Sequence, residues 1–327
     1  MIKLVVCPKS PPISWPKFVR DAPPYAIALD GYVWGGPRYD EVGPIVNFNH
    51  HEDVDRLATR STCAQVLMAI RQGLFSRFRT EAGPEASVFA NDCDEDVCTA
   101  WYLLSHHHLC QQTMHPLLNR LVALEDALDA TAGAYPFPVD MPALREMAWI
   151  FEPYRRFRLS GEIDKREDRA FQTVIEDVSH RIEQHLVGQG KELPIDTRYE
   201  RIGGGKGWAM VRETGAQAKT GVFADGIHAY VSVRERPDGR WTYVVGRMSP
   251  FVRFNLDAIF AACNRVEHGD HNSNDLWGGS NTIGGSPRVH GSRLAPDALT
   301  KIVDEYAPET TPGQYLNHRA TAPRIAP

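Results

Sequence analysis

The sequence predicts an α/β protein. A doubly wound, mostly parallel sheet forms a first lobe, and a helical connector joins it to a smaller α+β domain. Three observations support this. Over residues 1–135 short apolar runs alternate with segments of helical spacing. Residues 136–198 are charged and helix-favouring, as in GEIDKREDRAFQTVIEDVSHRIEQHL. From residue 199 to the end, strand-like alternation and glycines take over, with an irregular tail rich in Pro, Thr and Ala from Ala307. The 327 residues suit one large domain or two ordinary ones, and 43% apolar content suffices for a real core. A net charge of −5 argues against a broad basic face for duplex nucleic acid.

The expected strands of the first lobe are Lys3–Cys7, Tyr25–Leu29, Ile45–Phe48 and Ser87–Ala90. Between the third and fourth, Cys63, Val66, Leu67, Ile70 and Leu74 recur at helical spacing. Val97, Ala100, Trp101 and Leu104 do so after the fourth. Strand–helix–strand alternation implies parallel pairing. In the last third, HAYVSVRERPDGRWTYVVGRM carries two alternating runs around Pro237-Asp238-Gly239, a hairpin signal. GGGKGW at 203–208 lacks phosphate-loop spacing and reads as a loop. SHHHL at 105–109 reads as a solvated helix end. The six cysteines show no paired metal spacing and read as reduced. The N-terminus MIKLVVCPKSPP has no signal-peptide pattern, and no apolar run approaches the roughly 18 residues of a membrane span. A cytoplasmic protein with no membrane partner is the expectation.

In doubly wound sheets ligands collect at the carboxyl ends of the strands. Asp30 follows AIAL there, His50 and His51 follow IVNFN, and Asp92, Asp94 and Asp96 follow SVFAN. Farther on, ALEDALDATAG places Asp126 and Asp129 three residues apart on a helix turn. Carboxylates mixed with imidazoles suit Mn²⁺ or Mg²⁺, and two such ions can bracket a phosphoryl group. So many acids at one sheet edge would repel one another unless cations sat among them.

These residues resemble the DHH phosphoesterase superfamily. Asn49-His50-His51 is similar to its DHH signature, with Asn in place of the first Asp. DCDEDVCTAWYLL, from Asp92, resembles the aspartate-rich stretch of RecJ-like exonucleases and the corresponding stretch of the MYG exonuclease group. IALDGYVWGGPRYDEVGPIVNFNHH and ALEDALDAT resemble further segments of that group. The superfamily places the aspartate-rich stretch before DHH, whereas here it comes after. A parallel sheet accepts the permuted order, because ligands need only converge in space. VVGRMSPFVRFNLDAIF and WGGSNTIGGSPRVHGS resemble the DHH-associated companion domain. Glycines in such a loop let backbone N–H groups approach a phosphate, and an arginine grips it bidentately.

The resemblance implies three segments: a metal-binding catalytic domain (1–135), a helical connector (136–198) and a substrate-binding domain (199–327). It implies one or two Mn²⁺ or Mg²⁺ ions held by Asp30, His50, Asp92, Asp94 and either Asp126 or Asp129. Aligned on other relatives, Asp94 and Asp96 replace Asp92 and Asp94. His51 and Asn49 would be the catalytic residues: His51 would contact the phosphate or assist the leaving group, and Asn49 would keep a hydrogen-bond acceptor where the motif has an acid. Arg247, Gly278, Gly279, Gly284, Gly285 and Arg288 would bind substrate, with His290 a weaker candidate. The expected activity is hydrolysis of a phosphodiester or phosphoanhydride by a metal-bound hydroxide. Expected substrates are a nucleotide, a small phosphorylated metabolite or a short single-stranded oligonucleotide. Trp34, Trp208, Trp241 and Trp277 are available to stack bases. A second copy of the chain is an allowed partner. The competing expectation is a protein of the same fold that binds nucleotide or phosphate without turnover.

Overall fold

The computed structural model describes residues 1–307, apart from 112, 135–136, 139–140 and 269–274. The tail expected to be irregular lies outside the described residues beyond Ala307.

The first lobe runs β1 (Ile2–Val6), α1 (Trp15–Asp21), β2 (Ala26–Leu29), β3 (Arg38–Asp40), β4 (Ile45–Phe48), α2 (Thr62–Arg71) and α3 (Leu74–Arg77). A short hairpin follows, β5 (Arg79–Thr80) and β6 (Gly83–Pro84), then β7 (Ala86–Ala90), α4 (Glu95–Ser105), α5 (His108–Gln111) and α6 (Pro116–Ala130). The sheet order is β1-β7-β2-β4-β3. The first four are parallel to their neighbours, and β3 pairs antiparallel with β4 at the edge. All four expected strands therefore form, within a residue at their starts. The central strands β2 and β4 are buried at every position, as expected where both faces are covered. On one face Ile27, Leu29, Val46 and Val88 pack against α2, α4 and α6. On the other, Ala26, Ala28 and Ile45 pack against Phe18 of α1.

Helices α7 (Pro142–Ile150), α8 (Glu152–Leu159) and α9 (Asp168–Leu186) occupy the segment expected to be a connector. They do not stand between lobes. Leu144, Ile150, Phe171, Ile175 and Ile182 join the core that holds Ile27 and Val88. The apolar faces of α7 and α9 are thus spent on the first lobe, whose core extends about fifty residues past the expected boundary at 135.

The second lobe contains β8 (Tyr199–Gly205), β9 (Trp208–Glu213), α10 (Ala218–Ala224), β10 (Ala229–Glu235), β11 (Trp241–Arg247), α11 (Leu256–His268), β12 (Gly278–Gly279), β13 (Ile283–Gly285) and α12 (Pro296–Tyr306). Its mixed sheet has the order β12-β13-β11-β10-β9-β8. The hairpin around Pro237-Asp238-Gly239 joins antiparallel β10 and β11. GGGKGW is not a free loop: Gly203, Gly204 and Gly205 are the end of β8, hairpinned onto β9. The six cysteines are unpaired, five of them buried.

The lobes meet through charged groups. Arg158 of α8 pairs with Glu213 of β9, and its Nη2 donates to Ala216 O at 3.1 Å. Arg234 Nη2 meets Asp164 Oδ1 at 3.0 Å. Arg166 Nη2 donates to Arg288 O at 2.9 Å. A cavity of about 680 Å³ lies between the lobes, lined on one side by the carboxyl ends of the first sheet.

Burial opposes the charge on Glu213, but Arg158 and Lys219 outweigh it and hold its carboxyl down at about 2. A depressed carboxylate stabilises the fold above its unfolded pKa and ceases to do so as pH falls through its folded one. Stability in urea titrations should therefore fall from about pH 4.5 toward pH 2 in part through this group. Glu213→Gln, which strands two cations, should cost about 3 kcal/mol at pH 7. It should also flatten that acid limb. An unchanged limb would show that the pair does not hold the lobes.

Candidate metal centre

Asp30 is the residue after β2. Its backbone is left-handed (φ 48°), and Gly31 (φ 82°) follows in the same region. Asp tolerates this conformation better than most residues. Asp30 N still donates to Phe48 O at 2.9 Å, so the turn begins at the sheet edge. Beside it β4 ends at Phe48, and Asn49, His50 and His51 leave the sheet. Asn49 shapes this exit. Its Nδ2 donates to Gly35 O at 3.0 Å and Glu52 Oε2 at 2.8 Å, while its Oδ1 accepts from His51 N at 3.0 Å. Asn49 is fully buried and bonded on both amide atoms. It positions the two histidines; it is not placed to contact substrate, as the catalytic role expected of it requires.

Two groups of potential ligands share His50: Asp30, His50 and His51 in one, and His50, Asp96 and Asp129 in the other. His50 Nε2 lies 2.7 Å from Asp129 Oδ2, 3.4 Å from Asp30 Oδ1 and 3.6 Å from Asp96 Oδ2. His51 Nε2 lies 2.9 Å from Asp30 Oδ1. Neither His51 Nε2 nor Asp129 Oδ2 finds an aligned hydrogen-bond partner, although both are buried. Other atoms hold the carboxylates still. Thr62 Oγ1 donates to Asp30 Oδ1 at 2.9 Å. The N–H groups of Thr62 and Cys63, in the first turn of α2, donate to the two Asp96 oxygens at 2.6 and 2.7 Å.

The charges are strongly coupled. Burial opposes ionisation of Asp30, yet His51 and His50 hold its carboxyl well below the usual range. Burial and Arg56 oppose the charge on His50, but Asp129 and Asp30 lift it to about 9. Burial, Asp129 and Asp30 together push Asp96 up to about 7. Burial and the charges of Asp30, Asp92, Asp129 and Asp96 push Asp94 well above its ordinary value. Burial and mutual repulsion among these acids thus make Asp94 and Asp96 hold their protons more tightly than free carboxyls do.

The expected ligands divide. Asp30, His50 and Asp129 come together. Asp126 does not join them: its oxygens accept from Arg60 Nη1 at 2.9 Å and Ser61 N at 2.8 Å, which ties α6 to the start of α2. Asp94 caps α4 by accepting from Val97 N at 2.9 Å. Asp92 accepts from Cys93 N at 2.8 Å and lies 3.7 Å from Arg288 Nη1. Both line the cavity, but neither belongs to either trio. The third aspartate of the stretch, Asp96, joins a trio in their place.

Arg288 stands close to the trio of Asp30, His50 and His51. It lines the cavity, and a Cβ on Gly31 would stand 3.5 Å from its guanidinium nitrogens and 3.6 Å from His51 Cδ2. Burial opposes its charge, but Asp92, Glu52 and Asp30 outweigh it and keep it cationic. Arg247 does not line the cavity. Its guanidinium donates to Asn281 O at 2.6 Å and Val252 O at 3.1 Å. The glycines line the cavity but serve the sheet. A Cβ on Gly284 would strike Gly278 O, one on Gly285 would strike Tyr243 O, and one on Gly279 would strike Gly284 Cα. A Cβ on Gly278 would meet no backbone atom, only the Trp34 side chain at 3.5 Å. His290 is pinned to Asp275, with Nδ1 2.8 Å from Oδ2. Of the four tryptophans, Trp208 and Trp277 are buried, whereas Trp34 is exposed at the cavity.

Arg56 has no counterpart in the sequence reading. Its Nη1 contacts both ring nitrogens of His50 and lies 3.3 Å from Asp129 O, while its Nε reaches Ser280 Oγ of the other lobe at 3.3 Å. It lies in an irregular segment, so no periodicity flags it.

Oxygen and imidazole donors with two buried unaligned atoms fit Mn²⁺ or Mg²⁺. In calorimetric titration with Mn²⁺, Asp129→Asn and Asp96→Asn should each weaken binding by at least about tenfold. Asp126→Asn should leave Mn²⁺ affinity within about twofold and lower stability by less than about 1 kcal/mol, since it loses the ion pair with exposed Arg60 but keeps an acceptor for Ser61 N. Equal losses from Asp126 and Asp129 would overturn this division.

Comparison with family models, with curated proteins and with solved structures finds no match for this chain.

Proposed function

We propose that this chain is a metal-dependent phosphohydrolase of the DHH type. It would cleave a phosphodiester or phosphoanhydride bond of a nucleotide, a short oligonucleotide or a small phosphorylated metabolite. The observation that carries the reading is one juxtaposition. Two ligand trios sharing His50 stand at the carboxyl edge of a parallel sheet, and a half-buried arginine of the other lobe, Arg288, reaches over Gly31 beside His51. The motif resemblance supports the same reading.

Asp30, His50, His51, Asp96 and Asp129 would hold one or two Mn²⁺ or Mg²⁺ ions. Such ions supply Lewis-acid chemistry, activating water and offsetting charge on phosphate oxygens. The rest falls to the chain. Arg288 would grip the phosphoryl oxygens, and Thr62 and the α2 amides keep the carboxylates in place. His51, the more open histidine, would steady the phosphate or give a proton to the leaving oxygen. A cytoplasmic location fits such a substrate. Among the described residues, no helix is long and apolar enough to cross a membrane.

Arg56 favours a second reading, a protein that binds nucleotide or phosphate without turnover. Its guanidinium already places positive charge against His50 and Asp129. Hydrolysis of a generic phosphodiester, a dinucleotide, a short oligoribonucleotide and pyrophosphate, with and without Mn²⁺, decides between them. We expect Mn²⁺-dependent turnover of at least one, reduced about a thousandfold in Asp30→Asn. Arg288→Ala should weaken substrate capture about thirtyfold, the worth of one charge-assisted contact. Binding of these compounds with no turnover would establish the second reading.

A further inference from the structure

Trp34 leaves its ring in the open at the interlobe cavity. The residue is 46% exposed, although tryptophan is on average highly buried. Its backbone, by contrast, is tied down. Trp34 N donates to Ile13 O at 2.8 Å. The carbonyls on either side of it, Val33 O and Gly35 O, accept from Asn49 Nδ2 at 3.3 and 3.0 Å. Asn47 Nδ2 adds a second donor to Gly35 O at 3.0 Å. The following residue, Gly36, is packed so closely that a Cβ there would stand 2.9 Å from Val54 Cγ1. An uncovered ring on a fixed stem is preorganised for contact, because little backbone freedom is left to lose when a ligand covers it.

Two chains of contacts put this ring and Arg288 at the same end of the cavity. On the first lobe, Gly31 precedes Trp34 by three residues, a stretch of backbone that spans at most about 11 Å. A Cβ on Gly31 would stand 3.5 Å from the Arg288 guanidinium. On the second lobe, a Cβ on Gly278 would stand 3.5 Å from Trp34 Cη2. Gly278 lies three residues past Asp275, whose carboxylate accepts from Val289 N at 3.2 Å and His290 N at 2.8 Å, the two residues after Arg288. Pro12, next to Ile13, and Leu276, next to Asp275, also line the cavity and add apolar surface without charge. A ligand whose phosphoryl group lies at Arg288 therefore has an aromatic face that a ribose and its base can reach. Pyrophosphate and sugar phosphates have no flat apolar face to offer such a ring. Every nucleobase has one.

We propose that Trp34 stacks on the base of the ligand, so that the site selects a nucleotide over phosphorylated compounds without a base. This rests on the phosphohydrolase reading only in placing the ligand's phosphate at Arg288.

Calorimetry on the full chain at fixed Mg²⁺ tests it with two phosphonates that this chemistry does not hydrolyse. One is the analogue of adenosine monophosphate in which a methylene group replaces the ester oxygen. The other is the same ribose phosphonate with a methoxy group in place of adenine. The wild type should bind the adenine compound at least about tenfold more tightly, as one base–aromatic stack allows. Trp34→Ala should remove most of that preference and leave affinity for the base-free compound within about twofold. Trp34→Phe should keep the preference, whereas Trp34→Leu, apolar but without a flat ring, should not. A wild type that binds both compounds equally or neither, or a Trp34→Ala or Trp34→Leu protein that keeps the preference, overturns the proposal. Should Trp34→Ala not fold, Trp34→Leu decides alone under the same criteria. Mn²⁺-dependent turnover of pyrophosphate by a wild type indifferent to the base would sink this inference and leave the hydrolase reading standing. Selective binding of the adenine compound without turnover of any phosphate ester would do the reverse.

Discussion

The arrangement depends on mutual repulsion among buried acids. Asp30, Asp96 and Asp129 crowd around one imidazole, with Asp94 and Glu125 nearby. Burial, Glu95, Asp129 and Asp96 push Glu125 well above its ordinary value, much as Asp94 is pushed. A fold tolerates such a group only if cations reach it. The first lobe supplies His50 and Arg56, and the second supplies Arg288. Attraction between the acidic sheet edge and Arg288 of the second lobe helps hold the lobes together, and the same edge would draw in metal ions. Interface and site are therefore one electrostatic system.

Arg56 shows the coupling most directly. It touches His50 and the Asp129 carbonyl while its Nε reaches Ser280, in the loop between β12 and β13. Its neighbour Asp55 receives a hydrogen bond from Asn281 Nδ2 at 3.4 Å. Any shift of Arg56 away from His50, as an incoming cation would demand by repulsion, must disturb the contact to the second lobe. One side chain therefore joins the His50 group to the second lobe.

Much of this was legible in the sequence. Four apolar runs became parallel strands, and their ends carry Asp30 and His50. What was not legible depends on rotation about helices and on contacts distant in sequence. Asp94 caps α4, so the helical turn rather than strand alternation sets the direction of the following acids, and this brings Asp96 to His50. Asp126 and Asp129 share α6, yet one faces the start of α2 and the other His50. The glycines of WGGSNTIGG read as a phosphate cradle because the sequence cannot show that Tyr243 O and Gly278 O press against them. Nor does helical periodicity say which sheet a helix covers. The run at 142–186 could equally have bridged two lobes; its apolar face instead completes the first.

Asn49 is where this chain departs from the motif it resembles, and its surroundings supply a reason. The Asn49 amide nitrogen donates to the Gly35 carbonyl and to the Glu52 carboxylate, both buried. An aspartate could donate to neither. It would also place another negative charge beside Glu52 and within reach of a cluster already crowded with acids. Asparagine keeps the one acceptor the histidine turn needs, Oδ1 for His51 N, and converts the other oxygen into the donor that Gly35 and Glu52 require. Asparagine at this position therefore keeps the geometry of His50 and His51 without adding a negative charge to the cluster.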